Sequence, residues 1–209
     1  EDLTGVGSGS FTLVVTDGNG CSNSDGPFTI SDPTPPAQPI IALDPGAVCV
    51  GGSFTISVSS PDGAATYAWS GPGGYTNTGT SITLTNITVA NSGNYTVTPT
   101  VAGCTGNTSA PVNVTVNSLP LVDILPPLTV NCNNPTITLD GSNSAQGADI
   151  TYAWNVSNGG IIIGGGNTDT ETTSTPGDYE LVVTNTTTGC TNNETVTVNE
   201  NLDTPIADV

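Results

Sequence analysis

Along most of this chain, apolar and polar residues alternate with a period of two. Phe54, Ile56 and Val58 alternate with Ser53, Thr55, Ser57 and Ser59, and Ile82 and Leu84 alternate with Ser81, Thr83 and Thr85. Val112, Val114 and Val116 alternate with Asn113 and Thr115. Successive strand residues point to opposite faces, so this pattern predicts antiparallel strands with one face buried and one wet. Gly, Pro, Asn and Asp fill the intervals, which read as turns. No helical period of useful length competes with the alternation.

The strand pattern recurs. Ser8-Gly9-Ser10-Phe11-Thr12-Leu13-Val14-Val15-Thr16 leads to Gly20-Cys21, Ser92-Gly93-Asn94-Tyr95-Thr96-Val97-Thr98 leads to Gly103-Cys104, and Pro176-Gly177-Asp178-Tyr179-Glu180-Leu181-Val182-Val183-Thr184 leads to Gly189-Cys190. Thr66-Tyr67-Ala68-Trp69 returns unchanged as Thr151-Tyr152-Ala153-Trp154, and Val48-Cys49 is echoed by Asn131-Cys132. The aromatic residues at 11, 95 and 179 set a period of roughly 84 residues, a sign of a tandem array. The expected organisation has four parts. Residues 1–32 form the closing hairpin of a partial repeat, 37–117 and 119–200 are two whole domains, and 201–209 is the first strand of a next repeat or a donated strand. The joints Asp32-Pro33-Thr34-Pro35-Pro36 and Asn117-Ser118-Leu119-Pro120 are Pro-rich, semi-rigid spacers, and domains joined this way predict an elongated array.

Composition narrows the function classes. The 209 residues hold 18 Asp and Glu and no Lys, Arg or His, for a net charge of -18. Without Lys or Arg there is no clamp for phosphates, which argues against nucleic acid and against attraction to anionic membranes. Without His or Lys there is no His-based triad, Schiff base or Ser-Lys pair, so no catalytic residue is assigned and the protein is expected not to be an enzyme. Side-chain ion pairs are excluded too, so stability must come from burial, hydrogen bonds and cross-links. No apolar run is long enough to span a bilayer as a helix. With no Met and Glu1 first, the chain reads as a segment of something longer.

Asn91-Ser92-Gly93-Asn94-Tyr95 resembles the tyrosine corner that opens strand F of immunoglobulin domains, and Trp69 and Trp154 stand where the core Trp of strand C belongs. The expected core signature is Phe11, Trp69, Tyr95, Trp154 and Tyr179, although Phe11 lacks the corner hydroxyl. A closer resemblance is to the tandem Ig-like and PKD-like repeats of very large secreted surface adhesins of Bacteroidota-type, gliding bacteria. It is carried by Phe11–Cys21 as a closing hairpin, by Val48–Ile56 as an opening, and by Leu139-Asp140-Gly141-Ser142-Asn143-Ser144 as a PKD-type turn region. The resemblance implies an all-β chain of tandem immunoglobulin-like antiparallel β-sandwich domains, with 119–200 PKD-like or Ig-like. It also implies export, an extracellular or cell-surface location, and an adhesive or scaffolding role.

Five Cys in an exported chain imply disulfides and one left over. One scheme pairs within repeats, Cys49 with Cys104 and Cys132 with Cys190, leaving Cys21 for the missing half of its own repeat. Immunoglobulin strand order objects. Cys49 precedes strand B at the end where strand G finishes, whereas Cys104 lies in the F–G hairpin at the opposite end. A strand of about seven residues separates those ends by roughly 20 Å, and a disulfide requires Cα atoms within ~7 Å. In a head-to-tail array the tail of one domain meets the head of the next, so Cys49 faces Cys190, and Cys132 faces the equivalent of Cys21 in a following unit. Both schemes stand at this point.

Other sites are weaker. Asp140 and Asp149, with Asp44 and Asp123, are candidate Ca²⁺ ligands near junctions, but no EF-hand spacing accompanies them. Scattered solvated carboxylates are the simpler reading, and no resident cofactor is expected. Asn86, Asn94, Asn107, Asn113, Asn155, Asn185 and Asn193 head Asn-x-Ser/Thr triplets and are candidate glycosylation acceptors. The reading that unites these features is a structural subunit of an extracellular fibre or adhesin stalk. Copies of the chain assemble head to tail as a homopolymer through strand completion and disulfides, and surface glycans are a candidate partner. The alternative is a carbohydrate- or protein-binding accessory module of a secreted multidomain protein.

Overall fold

The predicted alternation becomes an almost wholly β structure. It is seen in a computed structural model of the chain that describes residues 5–32, 34–127 and 129–202. The first strands are β1 (Gly9–Thr16), β2 (Ser22–Ile30), β3 (Ile41–Asp44), β4 (Ala47–Cys49), β5 (Ser53–Val58) and β6 (Thr66–Ser70). Then come β7 (Thr76–Thr78), β8 (Ser81–Thr85), β9 (Gly93–Val101), β10 (Cys104–Thr105), β11 (Val112–Asn117) and β12 (Val130–Asn131). The last are β13 (Ile137–Asp140), β14 (Ile150–Ser157), β15 (Thr170–Thr173), β16 (Gly177–Asn185), β17 (Thr191–Val198) and β18 (Glu200–Asn201).

Two sheets form from β3 to β11. One has the order β3-β5-β8, the other β4-β11-β9-β6-β7 with β10 against β9. Each sheet alternates buried and exposed residues, as in β5 and β9. This is the two-sheet order of an immunoglobulin-like sandwich. From β12 to β18 the same plan is reduced to β14-β16-β17, β13-β15 and the pair β12-β18. In both, a short strand adds to the final strand in parallel. Ala47, Val48 and Cys49 lie beside Thr115, Val116 and Asn117, and Val130 and Asn131 lie beside Glu200 and Asn201.

By contact the chain forms two compact units. The first comprises Glu1–Ala42, Ser57–Ile82 and Thr96–Val112, and the second Leu43–Ile56, Thr83–Tyr95 and Asn113–Val209. In the first, Val58, Tyr67, Trp69, Ile82 and Val97 are buried. The indole N–H of Trp69 donates to Gly79 O at 2.8 Å, so the burial of the ring leaves no unpaired donor. In the second, Phe54, Ile56, Ile87, Tyr95, Val114 and Val116 are buried, and the Phe54 and Tyr95 rings meet edge to face at 5.5 Å. The same unit holds a core of Ile124, Val130, Ile137, Leu139, Trp154, Tyr179, Leu181, Val183 and Val198.

Phe11 departs from the expected core signature. Trp69, Tyr95, Trp154 and Tyr179 are buried, but Phe11 is only half-buried. Its strands β1 and β2 pair with each other in a two-stranded sheet, and every residue of β2 is exposed. Burial of that ring requires a second layer, which the hairpin lacks among the described residues. At the other end, Glu200 and Asn201 pair with β12. The rest of the expected strand 201–209, from 203 on, lies outside the described residues.

Candidate functional site

Cys49 ends β4, in register with Asn117 at the end of β11. Cys190 sits in the turn between β16 and β17 and is fully buried. The two form a disulfide with Cα atoms 5.7 Å apart across 141 residues of sequence. This corrects the within-repeat scheme, because Cys49 is not joined to Cys104 and Cys190 is not joined to Cys132. The reason is the strand order: Cys49 lies at the end of the sheet where β11 finishes, and Cys104 follows β9 at its far end. Cys21 and Cys132 are free and exposed, and Cys104 is free and half-buried.

Each tyrosine corner is built from its own backbone. The Tyr95 hydroxyl donates to Asn91 O at 3.0 Å, and the Tyr179 hydroxyl to Thr175 O at 2.9 Å, each four residues upstream. Tyr179 makes further contacts. Its hydroxyl also meets the hydroxyls of Thr173 and Thr175 and accepts the N–H of Ile161 at 3.0 Å. Gly93 and Gly177 precede these corners at φ 140 and φ 153, a region that side chains disfavour. At Gly177 an added Cβ would stand 2.5 Å from Gly160 N.

Cross-strand amides and carboxylates take the place that ion pairs fill in other proteins. Glu180 accepts from Asn155 Nδ2 at 2.9 Å on one side and from Asn193 Nδ2 on the other. Asn113 Nδ2 donates to Asn94 Oδ1 at 3.0 Å. Thus four of the candidate glycosylation acceptors, Asn94, Asn113, Asn155 and Asn193, lie exposed on strands and bond across them. Asn86 and Asn107 are exposed, the former at φ 51, while Asn185 is half-buried and accepts the N–H groups of Thr187 and Thr188.

Among the described residues, no group of three His, Cys, Asp or Glu could hold a metal ion. Asp140 Oδ1 accepts the Ser142 N–H at 3.0 Å, and hydrogen bonds from Ser142 hold its carboxyl below the ordinary value. Asp178 is lowered in the same way by hydrogen bonds from Thr197 and Asn158. Burial pushes the Tyr152 phenol up, assisted by the charge of Asp169. Among the described residues no helix is long and apolar enough to cross a membrane.

These two-sheet sandwiches, corners and buried strand-C tryptophans define an immunoglobulin-like β-sandwich protein. Residues 36–118 match the family described as Ig-like domain CHU_C associated. The match supports an Ig-like domain of the type found in Bacteroidota surface proteins, a class typical of secreted or surface proteins and generally non-catalytic. No curated protein matches the chain. Among solved structures, it is similar to the three N-terminal domains of the bacteriophage RB49 Highly Immunogenic Outer Capsid protein (Hoc). That likeness has 17% identity and a TM-score of 0.39, over 78% of this chain and 59% of that one. It is also similar to one chain of the crystal structure of mouse coronavirus receptor-binding domain complexed with its murine receptor, at 14% identity and a TM-score of 0.37, over 77% of this chain and 98% of that one.

Proposed function

We propose that this chain is a structural unit of an extracellular fibre or adhesin stalk, in which copies join head to tail. The observation that carries this reading is the Cys49–Cys190 disulfide. It ties the opening of one repeat to the closing turn of the next. A cross-link in that place resists the separation of successive repeats under load, and it stabilises domains whose Thr-rich strands bury modest cores.

The hairpin β1–β2 supports the same reading. Val6, Phe11, Thr12, Leu13, Phe28 and Ile30 line an open apolar hollow on it. Phe11 and Leu13 correspond in sequence to Tyr179 and Leu181, which are 0% exposed. Phe28 is 52% exposed and Ile30 43% exposed, although they are apolar strand residues. A two-stranded hairpin is marginal by itself. Strands from another Ig-like repeat, supplied by the same longer polypeptide or donated by a second copy, give this half-core its missing layer.

Electron microscopy of native material tests the proposal. Filaments with a repeat set by this unit are expected, and a field of isolated globules overturns it. Neither Ca²⁺ nor another cofactor enters the proposal.

A further inference from the structure

The five cysteines occupy two kinds of place. Cys21, Cys104 and Cys190 each follow a glycine of positive φ, at 86 for Gly20, 84 for Gly103 and 74 for Gly189. The first and third of these turns are closed alike. The Asp17 N–H donates to Cys21 O at 2.9 Å, and the Asn185 N–H donates to Cys190 O at 2.9 Å. The side-chain oxygen of Asp17 accepts the N–H groups of Asn19 and Cys21, and that of Asn185 accepts those of Thr187 and Thr188. The second turn differs, because Cys104 is drawn into a strand pair opposite Val101.

Cys49 and Cys132 form the other kind. Cys49 ends a short strand that lies parallel to the last strand of its repeat, and Cys132 directly follows the corresponding strand. One cysteine of each kind is bonded, Cys49 to Cys190. Of the rest, Cys132 and Cys21 are both free and exposed. The strand cysteine thus takes the turn cysteine of the repeat that follows it.

We infer that Cys132 pairs with Cys21 of a second copy of this chain, repeating between copies the link that Cys49 and Cys190 make within one. The inference rests on the fibre reading and names its covalent joint. A bond from Cys132 to its own Cys21 would reverse the order of repeats, and in the fibre reading the repeat that follows Cys132 belongs to the next copy. Cys21 is the choice over Cys104 because it is exposed and its turn is closed like that of Cys190. Because a different surface is used on each partner, the contact is heterologous and propagates into a chain of subunits. The oxidant is a disulfide of the thiol–disulfide exchange class, such as oxidised glutathione or a disulfide oxidoreductase. The thiolate of Cys132 attacks it, forming a mixed disulfide and releasing one thiol. The thiolate of Cys21 then displaces the second, so two protons and two electrons leave the cysteines and the oxidant becomes two thiols.

The test oxidises a mixture of ¹⁵N-labelled and unlabelled full chains with oxidised glutathione. The unreduced product is then cut with an Asp- and Glu-directed protease and mapped by mass spectrometry. Each cysteine lies in its own acidic-bounded peptide, Cys21 between Asp17 and Asp25, and Cys132 between Asp123 and Asp140. The expected product is a Cys21–Cys132 peptide pair carrying both isotopes, alongside an intact Cys49–Cys190 pair. On a non-reducing gel Cys132→Ser abolishes the covalent ladder, and Cys104→Ser leaves it unchanged. Pairing of Cys132 with Cys104, pairs of single isotope only, or a Cys132 that stays a free thiol overturns the inference. Filaments in which Cys132 stays free refute the joint and leave the fibre reading standing. A mixed-isotope ladder without filaments keeps the joint and refutes the fibre.

Discussion

The hairpin β1–β2 and the strands β16–β17 start from nearly the same sequence pattern and end in opposite environments. Phe11, Leu13 and Val15 match Tyr179, Leu181 and Val183 position for position. The second set is buried at 0% exposure, whereas Leu13 is 56% exposed and Val15 60% exposed. Local structure is alike in both, an antiparallel pair closed by a Gly-Cys turn. What differs is the neighbour. Strand β16 pairs with β14 on its other edge, while among the described residues β1 pairs with β2 alone. An alternating strand therefore states which face is available for burial, and the rest of the fold decides whether that face is buried.

The largest effect that sharpens this comparison is expected at the disulfide. Cys49→Ser, or reduction of the Cys49–Cys190 bond, releases a loop of 141 residues. It should cost about 2–5 kcal/mol in the unit that contains both cysteines, read as a lower denaturation midpoint. The β1–β2 hairpin contains neither cysteine, so its amide exchange should not change. A midpoint that ignores the reductant would show that the bond does not hold the unit.

Next is a paired truncation. Leu181→Ala removes a fully buried side chain and should cost about 2–5 kcal/mol, while Leu13→Ala in the isolated chain should cost less than ~0.5 kcal/mol. Equal losses in the isolated chain would mean that the hairpin face is covered, and the contrast would fail. In assembled material, the Leu13 variant should weaken association.

The corner hydroxyl is a smaller lever. Tyr179→Phe leaves the ring but removes the donor to Thr175 O, for an expected loss of about 1–3 kcal/mol by chemical denaturation. The reverse change at the equivalent position, Phe11→Tyr, should be nearly silent in the isolated chain. A loss for Tyr179→Phe as small as that for Phe11→Tyr would remove the corner from the list of stabilising features.

The smallest difference is in pH response. Asp178 has no counterpart in the hairpin, where Ser10 stands. Hydrogen bonds from Thr197 and then Asn158 lower its folded pKa below the ordinary 3.8. A lowered folded pKa contributes stability that is present above the unfolded value and is lost as pH falls through the folded one. Melting temperature should therefore be flat above about pH 5 and drop below the ordinary carboxylate value, and Asp178→Asn should reduce that drop. A drop of unchanged size in the variant would assign the acid sensitivity elsewhere, with Asp140 the next candidate because Ser142 lowers it similarly.

Much of the architecture was legible because it rests on local chemistry. Period-two alternation placed β5, β8 and β11, and the recurring Thr-Tyr-Ala-Trp placed β6 and β14. Tyr95 and Tyr179 declared corners, because a Gly two residues before a Tyr meets a local backbone demand. The cysteines were legible only as a set. Sequence spacing favoured neither pairing, and strand order supplied the objection to the within-repeat scheme. The Glu180 contacts with Asn155 and Asn193 left no trace in the sequence, since they depend on cross-strand register.

By itself the sequence determined the strands, the turns, the absence of ion pairs and the two kinds of cysteine, all set by neighbours within a few residues. Only the tertiary structure decided that Cys49 meets Cys190 and that Phe11 stays half-buried while Tyr179 is enclosed. The physical reason is range. A turn or a strand face is fixed by steric and hydrogen-bonding preferences of adjacent residues. A disulfide across 141 residues, or the burial of a ring, depends on which distant surfaces the fold brings together.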